Sequence, residues 1–441
     1  MEQKLTRRQV LKMGAGLGGA AAGLTIGFPH VSRAQAREVV LDYWQPETRE
    51  AAVNQEKKWI AEFEKANPGV KVKYTVIPFG DLSTKIRAAN AANTLPDMVY
   101  TLDASHAGWG YEGVAQPVDD VIDAIGRGDF DEAYLRYVTA DGKAYAVPRF
   151  GYNHVLFYRK DWYNQAKLKP IKTWADWLVN VKALHKPPDR FGILFYNGND
   201  ADVQYIVSLI ALNGGTLFDR NLKVTINSPE VVEALRYYKD LARYSTPGWQ
   251  DKGQMDQRLA FLKGIGAHLE GSTSFAYNIQ QQMKEQPKIL DTIAAVPMPI
   301  NKGDRQGAMM FSGVAITRST KHRDLCKQFI LTLYKKERYL EFVQNTVTGF
   351  SPVTKSASAN PAYWNHPNIK PFESILRAGV EVGKSGVMQG QTFGPNKYAN
   401  LVAGEHIWFE AANLLTLKDK SPEEVAAWMQ KVAEGVVKEA S

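Results

Sequence analysis

The 441-residue sequence has one cysteine, Cys326, so an internal disulfide and a site built from several cysteines are both excluded. The spacings His-x-His, His-Glu-x-x-His and Gly-x-Ser-x-Gly are also absent, which removes the common zinc and serine-nucleophile motifs. After residue 36, no apolar run approaches the roughly 18 residues of a membrane span. These absences predict no metal, no cofactor and no enzymatic activity, and a mature chain that is not embedded in a membrane.

The charge of the chain is less basic than its total suggests. The whole sequence has 54 Lys/Arg and 46 Asp/Glu, a net charge of +8. Residues 1–36 contain five of the basic and one of the acidic side chains, so the remainder has 49 and 45 and a net charge of +4. No Lys/Arg block is longer than two residues. We therefore expect no nucleic-acid partner.

The first 36 residues have the pattern of an export signal. Arg7 and Arg8 precede a weakly apolar, glycine-rich run, and Ala34-Gln35-Ala36 matches a small-residue cleavage site. The segment TRRQVLK resembles the twin-arginine motif, which directs folded proteins across the inner membrane. We therefore expect export to the periplasm by that pathway. The alternative is an ordinary secretory signal that carries two arginines.

The mature sequence begins with alternating strand and helix patterns. The segments EVVLDYW, VKVKYTVIP and DMVYTL predict strands, and amphipathic helices separate them. This order predicts a parallel sheet whose ligands bind beyond the carboxyl ends of the strands. The fold class is therefore α/β.

A second α/β unit follows, and the chain then returns to the first. Further strands are expected in AVPRFGYNHVLFYRKDW, FGILFYNGND, AHLEGS and ILDTIAAVPMPI, and the return begins near SGVAITRS. About 405 mature residues also exceed what one core usually supports. The expected division is a signal at 1–36, domain I at 37–148 plus 299–345, and domain II at 149–298 plus 346–441. Crossings are expected near 148–151, 293–299 and 344–350.

Several short segments resemble a known family in order and spacing. They are NPG at 67–69, LPDMV at 95–99, YAVPRFGYNHVLFYRKDWYNQAKLKPIKTWADW at 145–177, AFLKGIGAHLEGS at 260–272, FSGVAITRSTKHRDLCKQFI at 311–330 and GFSPV at 349–353. Together they resemble the extracellular solute-binding proteins of bacterial ABC importers, the family that includes maltose-binding protein. The resemblance covers most of residues 39–435. It implies a periplasmic-binding-protein fold, in which two α/β domains close over a ligand between them and are joined by two or three hinge crossings.

The candidate ligand contacts are residues that suit a sugar, which offers apolar C–H faces and many hydroxyls. Aromatic rings provide platforms for the faces, and charged or amide side chains bind the hydroxyls. The candidates stand at predicted strand ends, at the crossings, in an exposed-looking loop and, by resemblance, in the family's ligand loop at 270–272. They are Trp44, Glu47, Phe79, Asp103, Trp109, Arg149, Tyr152, Asn153, Tyr196, Trp249, Glu270, Gly271, Ser272, Phe311, Ser312, Gly313 and Phe350. Each has a structural alternative: Trp44 could be core, and Arg149 could form a structural ion pair.

The resemblance implies a monomeric periplasmic protein that captures a sugar or oligosaccharide and delivers it to the permease of an ABC importer. The segment EGSTSF at 270–275 departs from the maltose-binding members of the family. Thr273 and Ser274 stand near the position at which those members have a binding-site tryptophan. Two alternatives remain. The ligand could be an anionic or amine-bearing solute, such as a sugar phosphate, a uronate or a polyamine. The protein could instead be an exported carbohydrate-active enzyme whose catalytic carboxylates are far apart in the sequence.

Overall fold

The computed structural model describes residues 38–102, 105–198 and 204–440. The signal residues Arg7, Arg8, Ala34 and Ala36, together with the candidate Asp103, lie outside these ranges. The strands are β1 (Val39–Gln45), β2 (Val70–Val76), β3 (Met98–Leu102), β4 (Thr139–Ala140), β5 (Lys143–Ala144), β6 (Val147–Gly151), β7 (His154–Arg159), β8 (His268–Ser272), β9 (Ile293–Val296), β10 (Phe311–Ile316) and β11 (Ser351–Pro352).

Helices connect and cover these strands. They are α1 (Glu50–Ala66), α2 (Leu82–Ala91), α3 (Ser105–Tyr111), α4 (Asp119–Ile125), α5 (Glu132–Val138), α6 (Lys160–Gln165), α7 (Trp174–Leu184), α8 (Gln204–Leu212), α9 (Pro229–Ala242), α10 (Gln254–Leu262), α11 (Phe275–Gln282), α12 (Arg323–Leu333), α13 (Lys336–Asn345), α14 (Lys355–Ser358), α15 (Pro361–Trp364), α16 (Glu373–Ser385), α17 (Ala399–Gly404), α18 (Ile407–Thr416) and α19 (Pro422–Ala440). None of them, within the described ranges, is long and apolar enough to cross a membrane.

The described chain has two main sheets and a separate two-stranded sheet of β4 and β5. The large sheet has the order β11-β6-β10-β3-β1-β2, and the small sheet has the order β8-β7-β9. The first three strands pair in parallel, as the strand–helix alternation predicts, because each connecting helix returns the chain to the same edge. β10 pairs antiparallel with both β3 and β6. The prediction of an α/β fold is confirmed.

Helix α1 shows how the local sequence fixes an element. Ala52, Trp59 and Phe63 are buried along one face together with the carboxylate of Glu56, while the other charged residues lie on the more exposed face. The Trp59 ring stacks on Phe329 of α12 with centroids 4.0 Å apart, which joins two distant parts of the chain in one core. The helix ends before Gly69, whose φ of +90° lies in the left-handed region that glycine adopts without strain.

The chain crosses between the sheets inside one continuous strand-like segment. β6 belongs to the large sheet and β7 to the small one, and only Tyr152 and Asn153 separate them. The large sheet therefore extends to Gly151, three residues past the predicted boundary at 148. The return crossing follows β9 and reaches β10 through residues 297–310.

Helix α16 packs against strands of both sheets, and the carbonyl of its Gly379 accepts a hydrogen bond from Asn153 Nδ2 at 2.9 Å.

The predicted strand FGILFYNGND (191–200) is not a full strand in its described part, 191–198. Phe191 and Leu194 each make an isolated parallel bridge beside β8. Other backbone groups are bonded elsewhere: the amide of Phe195 donates to Ser245 Oγ, and that of Ile193 donates to the carbonyl of Tyr244. Because these hydrogen bonds leave the sheet, the ladder is interrupted.

Candidate functional site

A cleft of about 430 Å³ lies where residues of the two sheets face each other. One side comes from the carboxyl ends of β1, β2 and β3, and the other from β7, β8 and the start of α10. The lining residues are Pro46, Glu47, Thr48, Arg49, Phe79, Tyr100, Tyr152, His154, Gln254, Ser272, Ser274, Met310 and Phe350. The volume lies within the roughly 300–1,000 Å³ range of small-molecule sites.

Glu47 and Arg49 form a fixed ion pair in the loop after β1. Arg49 Nε donates to Glu47 Oε1 at 2.8 Å, and its Nη2 donates to Oε2 at 2.5 Å, so the contact is bidentate. The buried Gln45 holds the loop, since its Oε1 accepts from the amide of Glu47 at 2.8 Å. Burial acts to raise the pKa of Glu47, but hydrogen bonds and the charge of Arg49 outweigh it and lower that pKa.

Aromatic rings line the same part of the cleft. Phe350 stacks on Phe150 with centroids 4.0 Å apart, and the Arg49 guanidinium lies 4.9 Å from the Phe350 ring centre. Tyr152 lies 5.7 Å from Phe350. Phe79, in a 3-10 turn after β2, is 54% exposed. An aromatic side chain this exposed at a cleft rim offers a flat apolar surface to a ligand.

The small sheet supplies hydroxyl groups on the opposite wall. The Oγ atoms of Ser272 and Ser274 lie 2.5 Å apart. Arg258 Nη2, from the buried side of α10, donates to Ser272 Oγ at 3.1 Å. The two hydroxyls are therefore held in place by a cation behind the wall.

A buried hydrogen-bond network lies beneath the cleft floor. His154 Nδ1 is 2.6 Å from Glu270 Oε1, and Tyr196 donates its hydroxyl hydrogen to Glu270 Oε2 at 2.5 Å. The Glu270 amide donates to Tyr205 at 2.6 Å, and Gln254 Nε2 donates to Tyr196 at 3.3 Å. Burial, followed by the Glu270 charge, raises the pKa of Tyr196 well above its ordinary value, so this hydroxyl keeps its proton.

Five of the residues named from the sequence lie together in this cleft. They are Glu47, Phe79, Tyr152, Ser272 and Phe350. We use the word lobe for the part of the chain that packs around each of the two main sheets. The five residues come from strand ends or crossings in both lobes, which is the position that the α/β pattern predicts for a ligand site.

Arg149 and Asn153 do not line the cleft. Arg149 is buried in the large-sheet lobe, where Nη2 pairs with Glu56 and Nη1 donates to the Tyr43 hydroxyl at 2.7 Å. Asn153 is buried between the crossings: Nδ2 donates to the Gly379 carbonyl, and Oδ1 accepts from the Met310 amide at 3.0 Å. The structure thus gives both residues internal polar partners.

The other described candidates pack inside the lobes. Trp109, Tyr196 and Trp249 are core residues, and Trp44 is half-buried against the same core. Phe311 of β10 stacks on His106 of α3 with ring centroids 3.8 Å apart. The candidates placed outside the cleft lining are Trp44, Trp109, Arg149, Asn153, Tyr196, Trp249, Glu270, Gly271, Phe311, Ser312 and Gly313.

The cleft also contains side chains that the sequence reasoning missed. Arg49 stands two residues after the candidate Glu47, and His154 is adjacent to Asn153, so a wider window around each would have included them. Tyr100 lies inside an apolar strand, and Gln254 begins an ordinary polar helix. Neither carries a local signal of a ligand contact.

No group of three or more His, Cys, Asp or Glu side chains suited to a metal occurs within the described ranges. The model of the bacterial extracellular solute-binding protein family matches residues 58–371. The chain belongs to this family. Its members are extracellular proteins that bind solutes.

Known proteins agree with this family and fold. The Escherichia coli (strain K12) protein YcjN is 26% identical over 358 residues, covering 79% of this chain and 77% of YcjN. A mannitol-binding protein of Pseudomonas aeruginosa is 23% identical over 372 residues, covering 75% and 84% of the two chains. The solved structure of the sugar-binding protein MalE from Xanthomonas citri has a TM-score of 0.75 and 18% identity, covering 91% and 98%. The structural likeness supports the α/β fold.

Proposed function

We propose that this protein is the periplasmic component of an ABC importer and that it binds a neutral carbohydrate in the cleft. The observation that carries the proposal is the combination of aromatic surfaces with a fixed ion pair: Phe79, Tyr152 and Phe350 stand beside Glu47 and Arg49. Rings cover the C–H faces of a sugar, and charged groups make strong hydrogen bonds with its hydroxyls. Relatives and neighbours whose names include mannitol or sugar support this ligand class.

The electrostatics of the cleft favour a neutral solute over a charged one. The Arg49 guanidinium is already paired bidentately with Glu47, so their charges cancel at short range. Arg149, which would suit an anion if it faced the cleft, is paired with Glu56 in the core. A phosphate or a polyamine would therefore meet neither a free cation nor a free carboxylate from these two pairs.

A thermal-shift screen of the mature protein, residues 37–441, tests the ligand class. Sugars, sugar alcohols, sugar phosphates and polyamines form the panel. A ligand at a hundred times its Kd stabilises the folded state by about 2.7 kcal/mol. We expect stabilisation by neutral carbohydrates; stabilisation only by phosphates or polyamines would contradict the proposal.

A substitution of Phe79 tests whether its ring contacts the ligand or only packs against the protein. Phe79→Ala should weaken binding of the carbohydrate found in the screen by about tenfold, because a stacking surface is lost while little folded structure depends on an exposed ring. Phe393→Ala is the matched control, since Phe393 is 39% exposed and lies outside the cleft lining. Calorimetric titration measures both; equal effects would remove Phe79 from the site.

Delivery to a permease requires the ligand to be bound reversibly and released intact by a monomer. We propose that two lobes, one around each sheet, close over the ligand about the crossings between the sheets. Closure should reduce the radius of gyration in X-ray scattering at a constant monomer mass. Ligand recovered after long incubation should be chemically unchanged; hydrolysed sugar at a rate that tracks protein concentration would instead identify an enzyme.

We also propose export by the twin-arginine pathway, with cleavage after Ala36. The support is the sequence pattern around Arg7 and Arg8. Changing both arginines to lysine should retain the precursor in the cytoplasm, as measured by fractionation. Export that continues in a strain without the twin-arginine machinery would refute this route.

A further inference from the structure

His154 occupies the floor of the cleft at the start of β7. It stands opposite Ser272 in the antiparallel pairing with β8, and Glu270 is two residues before Ser272 in that strand. Because side chains alternate between the faces of a strand, Ser272 and Glu270 point to the same side as His154. The diagonal distance between such positions is within reach of long side chains. The ring is nearly fully buried and yet lines the cleft.

The surroundings of Nδ1 decide which ring nitrogen carries a proton. Nδ1 lies 2.6 Å from Glu270 Oε1, and the other carboxylate oxygen already accepts from the Tyr196 hydroxyl. An ionised carboxylate has no hydrogen to donate, so the hydrogen in the short contact belongs to Nδ1. Such a partner on one nitrogen sets the tautomer of an imidazole.

The other ring nitrogen faces Met310, which also lines the cleft. The neighbour of Nε2 is Met310 Sδ at 3.0 Å, and a thioether is a weak acceptor with no hydrogen to give. In a neutral ring with Nδ1 protonated, Nε2 therefore presents a lone pair for which no described residue supplies a hydrogen. Methionine has three rotatable bonds, so Met310 can turn aside for a ligand.

We propose that His154 contacts the ligand through Nε2, which accepts a hydrogen bond from a carbohydrate hydroxyl, and that Glu270 is the positioning residue that keeps the ring proton on Nδ1. The inference rests on the proposed function and adds a specificity rule to it. A hydroxyl can donate to Nε2, whereas an ionised carboxylate or phosphate oxygen cannot. The cleft floor therefore favours a solute that presents a hydroxyl at this position over one that presents an anionic oxygen there.

The charged and titratable groups around the ring are consistent with this role. Behind it lie Glu270 on β8 and Tyr196 on the adjoining segment. Across the cleft lie Glu47 and Arg49, which are paired with each other, and the phenols of Tyr100 and Tyr152. The carboxylate in contact with the ring is thus on the Nδ1 side.

The first experiment measures the tautomer without any ligand. The mature protein is labelled with ¹⁵N-histidine, and two-bond ¹H–¹⁵N correlation spectra are recorded at pH 8; the His154→Gln spectrum identifies the signals. We expect a protonated Nδ1 and an unprotonated Nε2. In Glu270→Gln, the new amide can donate to Nδ1, so the proton should move to Nε2. A protonated Nε2 in the unmodified protein would overturn the proposal.

The second experiment measures the contact with the carbohydrate found in the screen. His154→Leu keeps an apolar side chain and removes the acceptor, so Kd should rise at least tenfold. His154→Gln, whose carbonyl can accept, should recover part of the loss, and Glu270→Gln should weaken binding. His322→Gln, outside the cleft, is the control.

Circular dichroism confirms that each variant is folded. Unchanged affinity in both folded His154→Leu and Glu270→Gln would refute the contact. A panel without any hit would refute the proposed function, and the ligand contact with it, whereas the spectra would still decide the position of the proton.

Discussion

The buried pair between Arg149 and Glu56 allows a sharp test of how the large-sheet lobe is stabilised. Both side chains are only 2% exposed, and Arg149 also donates to the Tyr43 hydroxyl. The guanidinium lies 5.2–5.7 Å from the ring centres of Trp59 and Phe342. Replacing Arg149 with methionine keeps much of this packing and removes only the charge and its hydrogen bonds.

The expected magnitude follows from what is left behind. Glu56 would be an unpaired carboxylate inside the core, and removing one partner of a buried ion pair costs about 3–5 kcal/mol. Burial already raises the pKa of Glu56, and the charge of Arg149 opposes that rise. Without Arg149 the pKa rises further, so the folded state binds a proton that the unfolded state lacks. The destabilisation should therefore be larger at pH 8 than at pH 5.

Urea unfolding followed by tryptophan emission measures the effect at both pH values. The double variant Arg149→Met/Glu56→Met is the informative control, because replacing both charges with apolar groups is often neutral or stabilising. We expect it to recover most of the stability lost in the single variant. A single variant that is as stable as the unmodified protein but binds anionic ligands less tightly would refute the buried pair and place Arg149 in the cleft.

Two further predictions concern buried titratable groups. Burial lowers the pKa of His106 to about 3 and that of His268 to about 4, so the unfolded state binds more protons below about pH 6.5. Stability should fall by about 1.4 kcal/mol per pH unit for each histidine between pH 6.5 and 4, and His106→Gln/His268→Gln should flatten that slope in urea unfolding. Burial also raises the pKa of the Cys326 thiol to about 12. Cys326 should resist a thiol-specific dye at pH 8 and react once the protein is unfolded; fast labelling of the folded protein would contradict its burial.

The sequence predicts the part of the site that follows from local pattern. Glu47 and Phe79 follow the parallel strands β1 and β2, and parallel strands bring their carboxyl ends to one edge of a sheet. The other three residues shared by the prediction and the cleft also stand at strand boundaries: Tyr152 follows β6, Ser272 ends β8 and Phe350 immediately precedes β11.

The remaining site depends on pairings that no local pattern contains. Whether Arg149 faces the cleft or the core is decided by Glu56, which is 93 positions away on α1. His154 and Glu270 are separated by 116 positions and meet only because β7 and β8 are neighbours in the small sheet. Such partners follow from topology, which short motifs and propensities do not determine.

Because one strand-like run is split between the two sheets at residues 152 and 153, the closure proposed above would have its pivot close to Tyr152 and His154. In such a rotation, an atom moves in proportion to its distance from the axis. In the proposed closure, the proposed ligand contacts at Tyr152 and His154 would therefore change little, whereas Phe79, which is carried on a turn after β2, would travel further. A solute would dock first on the residues at the pivot, and the outer ring would then arrive to exclude water.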